Sequence, residues 1–329
     1  MLLPPELPTP STLRIRFKKK NMATHKEMLI IERAIACRVC GSHNVSKDGF
    51  YKDTQYYLCK SCGTKFAGSD CYPKMKYPKE LIIKTLTYYY NGMSYQNINQ
   101  TFNDLNQIDL PKMTLWRWVI AFSKIVNDYV LTLHPKLSDI WIADETVIDI
   151  WGTHYWFWDI VDSETRFLIA SHLSKTRTET DATKLFTMAK LRSKFRPKVI
   201  ITDKLGQYNK AFNYVFYLNV AEDNIDHLKS EGFESEINSN LIERFHSTVK
   251  QRTKVMRDLK EKKSARIVMD GYMTHYNFFK EHEGGITPAQ AGGIGEGIAN
   301  WGDLIGLALD ILKQTPKIRT EWEKGFKVE

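Results

Sequence analysis

Two aspartates interrupt apolar runs in ways that invite chemistry. Asp144 lies in Trp141-Ile142-Ala143-Asp144-Glu145-Thr146, and Asp203 closes Val199-Ile200-Ile201-Thr202-Asp203. Both runs read as strands, and neighbouring strand positions can bring the two carboxylates together. Carboxylates held that close repel each other unless a divalent cation neutralises them, and hard oxygen ligands select Mg2+ or Mn2+. Glu243 is the choice for a third acid. It lies in a segment, residues 238–250, that is helical by pattern. Asn240, Glu243, Ser247 and Lys250 recur at i, i+3, i+7 and i+10 and share one face, while Leu241, Phe245 and Val249 can pack inward. A carboxylate, an amide and an ammonium then line one cleft.

Rival acids flank these. Glu145 and Asp149 neighbour the first aspartate, and Asp223, Asp226, Glu231, Glu234 and Glu236 precede the glutamate in what reads as a loop. In a strand Glu145 points opposite to Asp144, so one of the two must face away from the metals.

A different ligand set lies upstream. Cys37-x2-Cys40 and Cys59-x2-Cys62 are two knuckles with eighteen residues between them, which is zinc-ligand spacing. Each C-x-x-C turn aims two thiolates at one tetrahedral centre, and a short hairpin carrying two such turns closes a four-thiolate site. Gly41, Gly49 and Gly63 and the strand-like run 55–58 suit a zinc ribbon over residues 35–70. Such a site is structural and carries no reaction. The fifth cysteine, Cys71, falls outside it.

The elements that position these groups follow from periodicity. Residues 79–91, a segment from Ser94 to about 102, and residues 111–120 read as three helices. Helix, short turn, helix in a basic chain is the pattern that lays its last helix in a DNA major groove. Lys112, Thr114 and Arg117 are its candidate DNA contacts, within a helix-turn-helix domain over 76–135. Residues 140–148, 155–161 and 167–173 then read as three consecutive antiparallel strands, 180–191 as a helix and 198–202 as a buried strand. This β-β-β-α-β order is what an RNase H-like fold requires before its later helices.

Length and composition agree. At 329 residues the chain holds two to three folding units, and 43% hydrophobic with 26% charged residues is globular rather than disordered. A formal charge of +9 favours nucleic acid. Pro4, Pro5, Pro8 and Pro10, followed by Arg14, Arg16 and Lys18 to Lys20, read as a flexible basic arm over 1–34. No signal sequence and no apolar run of about 18 residues is present, so a soluble protein with no membrane partner is expected, cytoplasmic and on DNA in the nucleoid. Gly292, Gly293, Gly295 and Gly297, then an amphipathic helix over 301–312, form a C-terminal tail (291–329) suited to dimerisation.

Residues 140–290 resemble the catalytic domain of insertion-sequence transposases in the retroviral integrase superfamily. The family pattern is two aspartates and a glutamate with a basic residue seven positions later, and Asp144, Asp203, Glu243 and Lys250 match it. The upstream ribbon and helices, His275-Tyr276-Asn277-Phe278 and residues 285–289 also resemble this group. The resemblance implies a multidomain chain: a small zinc ribbon, an all-α helix-turn-helix, and an α/β RNase H-like catalytic domain over 138–290 with a mixed five-stranded sheet.

It further implies a two-metal phosphoryl transfer in which Asp144 bridges two Mg2+ or Mn2+ ions, Asp203 holds one and Glu243 the other, besides one structural Zn2+. Water would first expose a 3'-hydroxyl at the element end, and that hydroxyl would attack target DNA. Lys250, with Arg244, Arg252 and Lys254, would neutralise backbone phosphates, and Asn240 and His246 would orient ligands or substrate. A homodimer or larger synaptic complex is expected, because two element ends must be joined. Two other readings stay open: a non-enzymatic DNA-binding regulator using only residues 37–125, and an RNase H-like nuclease that cuts without joining.

Overall fold

Aromatic and β-branched residues between 45 and 67 give three short strands, β1 (Val45–Tyr51), β2 (Thr54–Cys59) and β3 (Lys65–Ala67), paired antiparallel in that order. Cys37 and Cys59 are buried with Phe66 in the small core of this unit. The computed structural model describes residues 37, 40, 42–51, 54–67, 72, 75, 77–150, 152–193, 196–217, 225–229, 239–255, 262–282 and 284–314. The expected basic arm and Cys71 lie outside these. Contacts divide the chain into two units, Met1–Pro78 and Lys79–Glu329.

The second unit opens with three helices, α1 (Lys79–Tyr90), α2 (Tyr95–Asn106) and α3 (Lys112–Val130). The turn after α1 needs Gly92, whose φ of +112° an L side chain rarely adopts. Ser94 then caps α2, its hydroxyl accepting from the Asn97 amide. α3 outruns the expected 111–120 by ten residues, because no breaker intervenes and Phe122, Ile125, Val126 and Val130 continue the apolar stripe. It packs on α7 (Lys262–Phe279) and α9 (Trp301–Gln314) within the same compact unit.

The central sheet contains β4 (Ile140–Ile150), β5 (Thr153–Asp162), β6 (Leu168–Ser174), β7 (Val199–Thr202) and β8 (Asp226–Lys229) in the order β6-β5-β4-β7-β8. The first three pair antiparallel, whereas β7 runs parallel to β4 and β8 parallel to β7. This is the mixed five-stranded sheet expected above. The fifth strand begins at Asp226, inside the stretch read as loop, because its polar sequence Asp226-His227-Leu228-Lys229 belongs to an exposed sheet edge.

Between β6 and β7 runs α4 (Glu179–Arg192), and α5 (Gly206–Phe212) follows β7 and continues as a π-turn over Asn213–Tyr217. Alternation sorts the layers. Trp158 meets Tyr208 of α5 edge-on, while Phe157 meets Phe245 of α6 (Ser239–Val255) on the opposite face. α7 joins that second layer, where the Asn277 side chain accepts from the Leu168 amide and donates to its carbonyl. A short helix, α8 (Pro288–Ala291), precedes α9. No helix among the described residues is long and apolar enough to cross a membrane.

The α1, α3 and α7 helices meet without a gap. Tyr90 hydrogen-bonds Ser123 at 2.7 Å, and a Cβ at Gly271 would strike the Tyr90 ring and lie 2.8 Å from Ser123 Oγ. In an open helix, replacing Gly by Ala gains about 1 kcal/mol. Here Gly271→Ala is expected to destabilise the protein instead, by about 1–3 kcal/mol through overpacking. Urea unfolding measures the sign, and a stabilised variant would contradict this packing.

Candidate active site

Parallel pairing of Ile140–Ile142 with Val199–Ile201 ends just before Asp144 and Asp203. Both acids therefore emerge side by side where β7 stops. One carboxylate oxygen from each of Asp144, Glu145 and Asp203 lies within 4.8 Å of the others, the one cluster of acids among the described residues placed to hold a metal ion. The structure thus brings together the two sequence-predicted aspartates. The third acid within that reach is Glu145 rather than Glu243, which is exposed on α6.

Alternation does send Asp144 and Glu145 to different neighbours. Asp144 Oδ2 faces His246 Nδ1 of α6 at 3.5 Å, and its Oδ1 accepts from the Glu145 amide at 2.9 Å. Glu145 turns toward α4 and α5: Oε1 accepts from Arg177 Nε at 2.8 Å and also from Arg177 Nη2, while Oε2 accepts from the Tyr208 hydroxyl at 2.6 Å. Both its oxygens are therefore engaged, and its side chain is 1% exposed against 28% for Asp144 and 41% for Asp203. Asp203 Oδ1 accepts from the Leu205 amide, and its Oδ2 lies 3.7 Å from Arg177 Nη2. Arg177 is itself stacked 4.6 Å over the Trp156 ring.

Burial in a low-dielectric patch disfavours the charged form of a carboxyl group. Burial pushes the Asp144 carboxyl up to about 7, with His246 drawing it down and Asp159 and Glu145 repelling its charge. Burial likewise raises Glu145, against the bonds from Tyr208 and Arg177, and raises Asp159, against His246. A divalent cation would reverse this balance, because hard oxygen ligands give up protons to it. Asp144 and Asp203 are the more exposed acids of the cluster and would hold one.

On α6 the structure buries Ile242, Phe245, His246 and Val249, and exposes Glu243, Arg244, Ser247 and Lys250. The side chains of Asn240, Leu241, Arg252 and Lys254 lie outside the described residues. Lys112 and Arg117 are exposed on the first turns of α3 and Thr114 is half-buried. Sequence reasoning passed over three groups. Asp159 carried a readable signal, an acid inside Phe157-Trp158-Asp159-Ile160; Arg177 and Tyr208 carried none, since a polar turn and an aromatic helix residue are ordinary.

In the first unit, the four cysteines offer sulfurs within 4.8 Å of one another. Cys37 Sγ lies 3.6 Å from Cys62 Sγ, and Cys40 Sγ 3.6 Å from Cys59 Sγ. Each close pair joins the two knuckles. A tetrahedral zinc with bonds of about 2.3 Å sets sulfurs about 3.8 Å apart, whereas a disulfide requires about 2.05 Å. The donor set fits a structural zinc.

Residues 138–282 match a family described as a DDE domain, of the insertion-sequence transposase kind. This segment belongs to that family. Polynucleotidyl transfer in transposition is accordingly the general chemistry of the DDE domain. No curated protein matches the chain. Among solved structures, the HTLV-2 integrase catalytic core domain in complex with magnesium, in its dimeric form, is 18% identical over 48% of this chain and 97% of its own, with a TM-score of 0.37. Its trimeric form is 17% identical over 49% and 99%, also at 0.37. A chain of the simian T-cell lymphotropic virus intasome, in complex with PP2A regulatory subunit B56 gamma, is 18% identical over 48% of this chain at 0.37, and this chain spans 56% of that one. The fold assignment rests on the strand order of the DDE domain itself.

Glu145 gives the site a test that needs no substrate. Tyr208→Phe removes one hydrogen bond to a buried carboxylate while keeping the ring, and should lower stability by about 1.5–3 kcal/mol. Denaturant unfolding reads it; a change under about 0.5 kcal/mol would mean that the Tyr208 hydroxyl does not support Glu145.

Proposed function

We propose that this protein is a transposase that cleaves DNA at the ends of its element and joins the exposed 3'-hydroxyl to target DNA. The observation that carries the reading is the meeting of Asp144 and Asp203 at the end of β4 and β7, inside a segment of the DDE-domain family. Asp144 and Asp203 would hold Mg2+ or Mn2+, with Glu243 completing the set from α6. Two such ions, when bound, activate the attacking oxygen and stabilise the leaving one at phosphorus.

The chain's own residues do the rest. Arg177 and Tyr208 occupy both oxygens of Glu145, which supports Glu243 over Glu145 as the third ligand. Lys250 and Arg244, exposed on the helix that carries Glu243, would neutralise backbone phosphates. Lys112, Thr114 and Arg117 on the first turns of α3 would contact the element end, in the manner of a recognition helix. Four thiolates would hold one zinc, fixing the hairpin of the first unit. Two ends must be brought together, so the working form is a homodimer or larger assembly on DNA.

The first experiment incubates the full chain with labelled element ends, plasmid target and Mg2+ or Mn2+, beside Glu243→Gln and Glu145→Gln. Joined products from wild type and Glu145→Gln but not from Glu243→Gln are expected. Cleavage without joining would favour a nuclease, and binding without chemistry a DNA-binding regulator. Elemental analysis of purified protein should find about one zinc per chain, lost in Cys59→Ser; retention of zinc by that variant would remove the four-thiolate assignment.

A further inference from the structure

Asp159 is an anomaly that the reaction does not use. It sits in the middle of β5, directly opposite Asp144 in strand register, and it is fully buried. Facing residues on adjacent antiparallel strands have Cβ atoms about 4.5–5.5 Å apart, and like charges there repel. A buried carboxylate without a counter-charge is strongly destabilising. The group that answers it is His246 of α6, itself buried, with Nε2 2.7 Å from Asp159 Oδ2 and Nδ1 3.5 Å from Asp144 Oδ2. The other Asp159 oxygen has no hydrogen-bond partner among the described residues. One imidazole therefore spans an inner acid and an outer one.

We propose that Asp159 and His246 form a positioning relay: Asp159 fixes the imidazole through Nε2, and Nδ1 in turn fixes the Asp144 carboxylate in the orientation that receives a divalent cation. The same ring sets the rotation of α6 about its axis, since Glu243 stands one turn before His246 on that helix. This deepens, and rests on, the metal-site reading given above. Groups that orient a ligand from behind typically change metal affinity about 10–100-fold when removed.

Two substitutions separate positioning from packing. The amide nitrogen of Gln reaches where Nε2 was, so His246→Gln keeps the bond to Asp159 and loses the approach to Asp144. Mn2+ binding to the full chain is followed by the electron paramagnetic resonance of free Mn2+, with thermal unfolding recorded on the same samples and Asp144→Asn as reference. The expected result is a His246→Gln protein that still unfolds cooperatively, at a midpoint lowered by the lost counter-charge, with Mn2+ affinity lowered about tenfold or more. Asp159→Asn, which keeps the shape but removes the charge, should weaken Mn2+ in the same direction. Wild-type Mn2+ affinity in a folded His246→Gln, or in a folded Asp159→Asn should the first variant not fold, would overturn the relay. Mn2+ binding in wild type that is indifferent to Asp144→Asn would instead overturn the metal site on which the relay rests.

Discussion

Carboxylate repulsion inside a poorly solvated patch is the constraint around which this structure is organised. Asp144, Glu145 and Asp203 converge where β4 and β7 part company, Asp159 faces Asp144 from β5, and left alone their like charges would drive the strands apart. Each layer of the domain supplies a different answer. The α4 side brings Arg177, the α5 side brings Tyr208, and the α6 side brings His246. Asp144 and Asp203 remain the two most solvent-exposed of the four. The helices on both faces of the sheet are thus electrostatic partners of the strands as well as hydrophobic covers.

The strand directions explain why those two acids are the ones left open. Antiparallel pairing carries β4 past the centre of the sheet beside β5 for its whole length, so Asp144 has a strand on that side. Parallel pairing with β7 lasts only three residues, and beyond it the backbone of β7 turns into α5. A crevice at the carboxyl end of a parallel pair is where open sheets accept ligands. Here the crevice inherits one acid from each strand.

The sequence made Asp144 and Asp203 visible because each stands in an apolar strand, where a charge without a role is disfavoured. The three antiparallel strands, the helix after them and the strand ending at Asp203 were readable for the same reason. β8 was not, since a polar edge strand has no alternation to betray it. Nor were the partners of Glu145: Arg177 and Tyr208 lie 32 and 63 residues away and meet it only through tertiary packing. For Glu243, helical spacing announced the exposed face it shares with Ser247 and Lys250, while the reach of its carboxylate depends on side-chain placement that spacing does not encode. Asp159 shows that the rule applied to Asp144 extends one strand further.

The gapless meeting of α1, α3 and α7 at Gly271 has a mechanical consequence. α3 is a rod of 19 residues, about 28 Å long at 1.5 Å per residue. Its distal half is clamped to a helix that is itself bonded to β6, and its first turns bury Leu115, Trp118 and Val119 while exposing Lys112 and Arg117. A rod clamped in this way behaves as a ruler, so the span from Lys112 and Arg117 to the acids is a fixed length of the protein and not the average over a tether. A polymer lying against both ends would have to meet that one fixed distance.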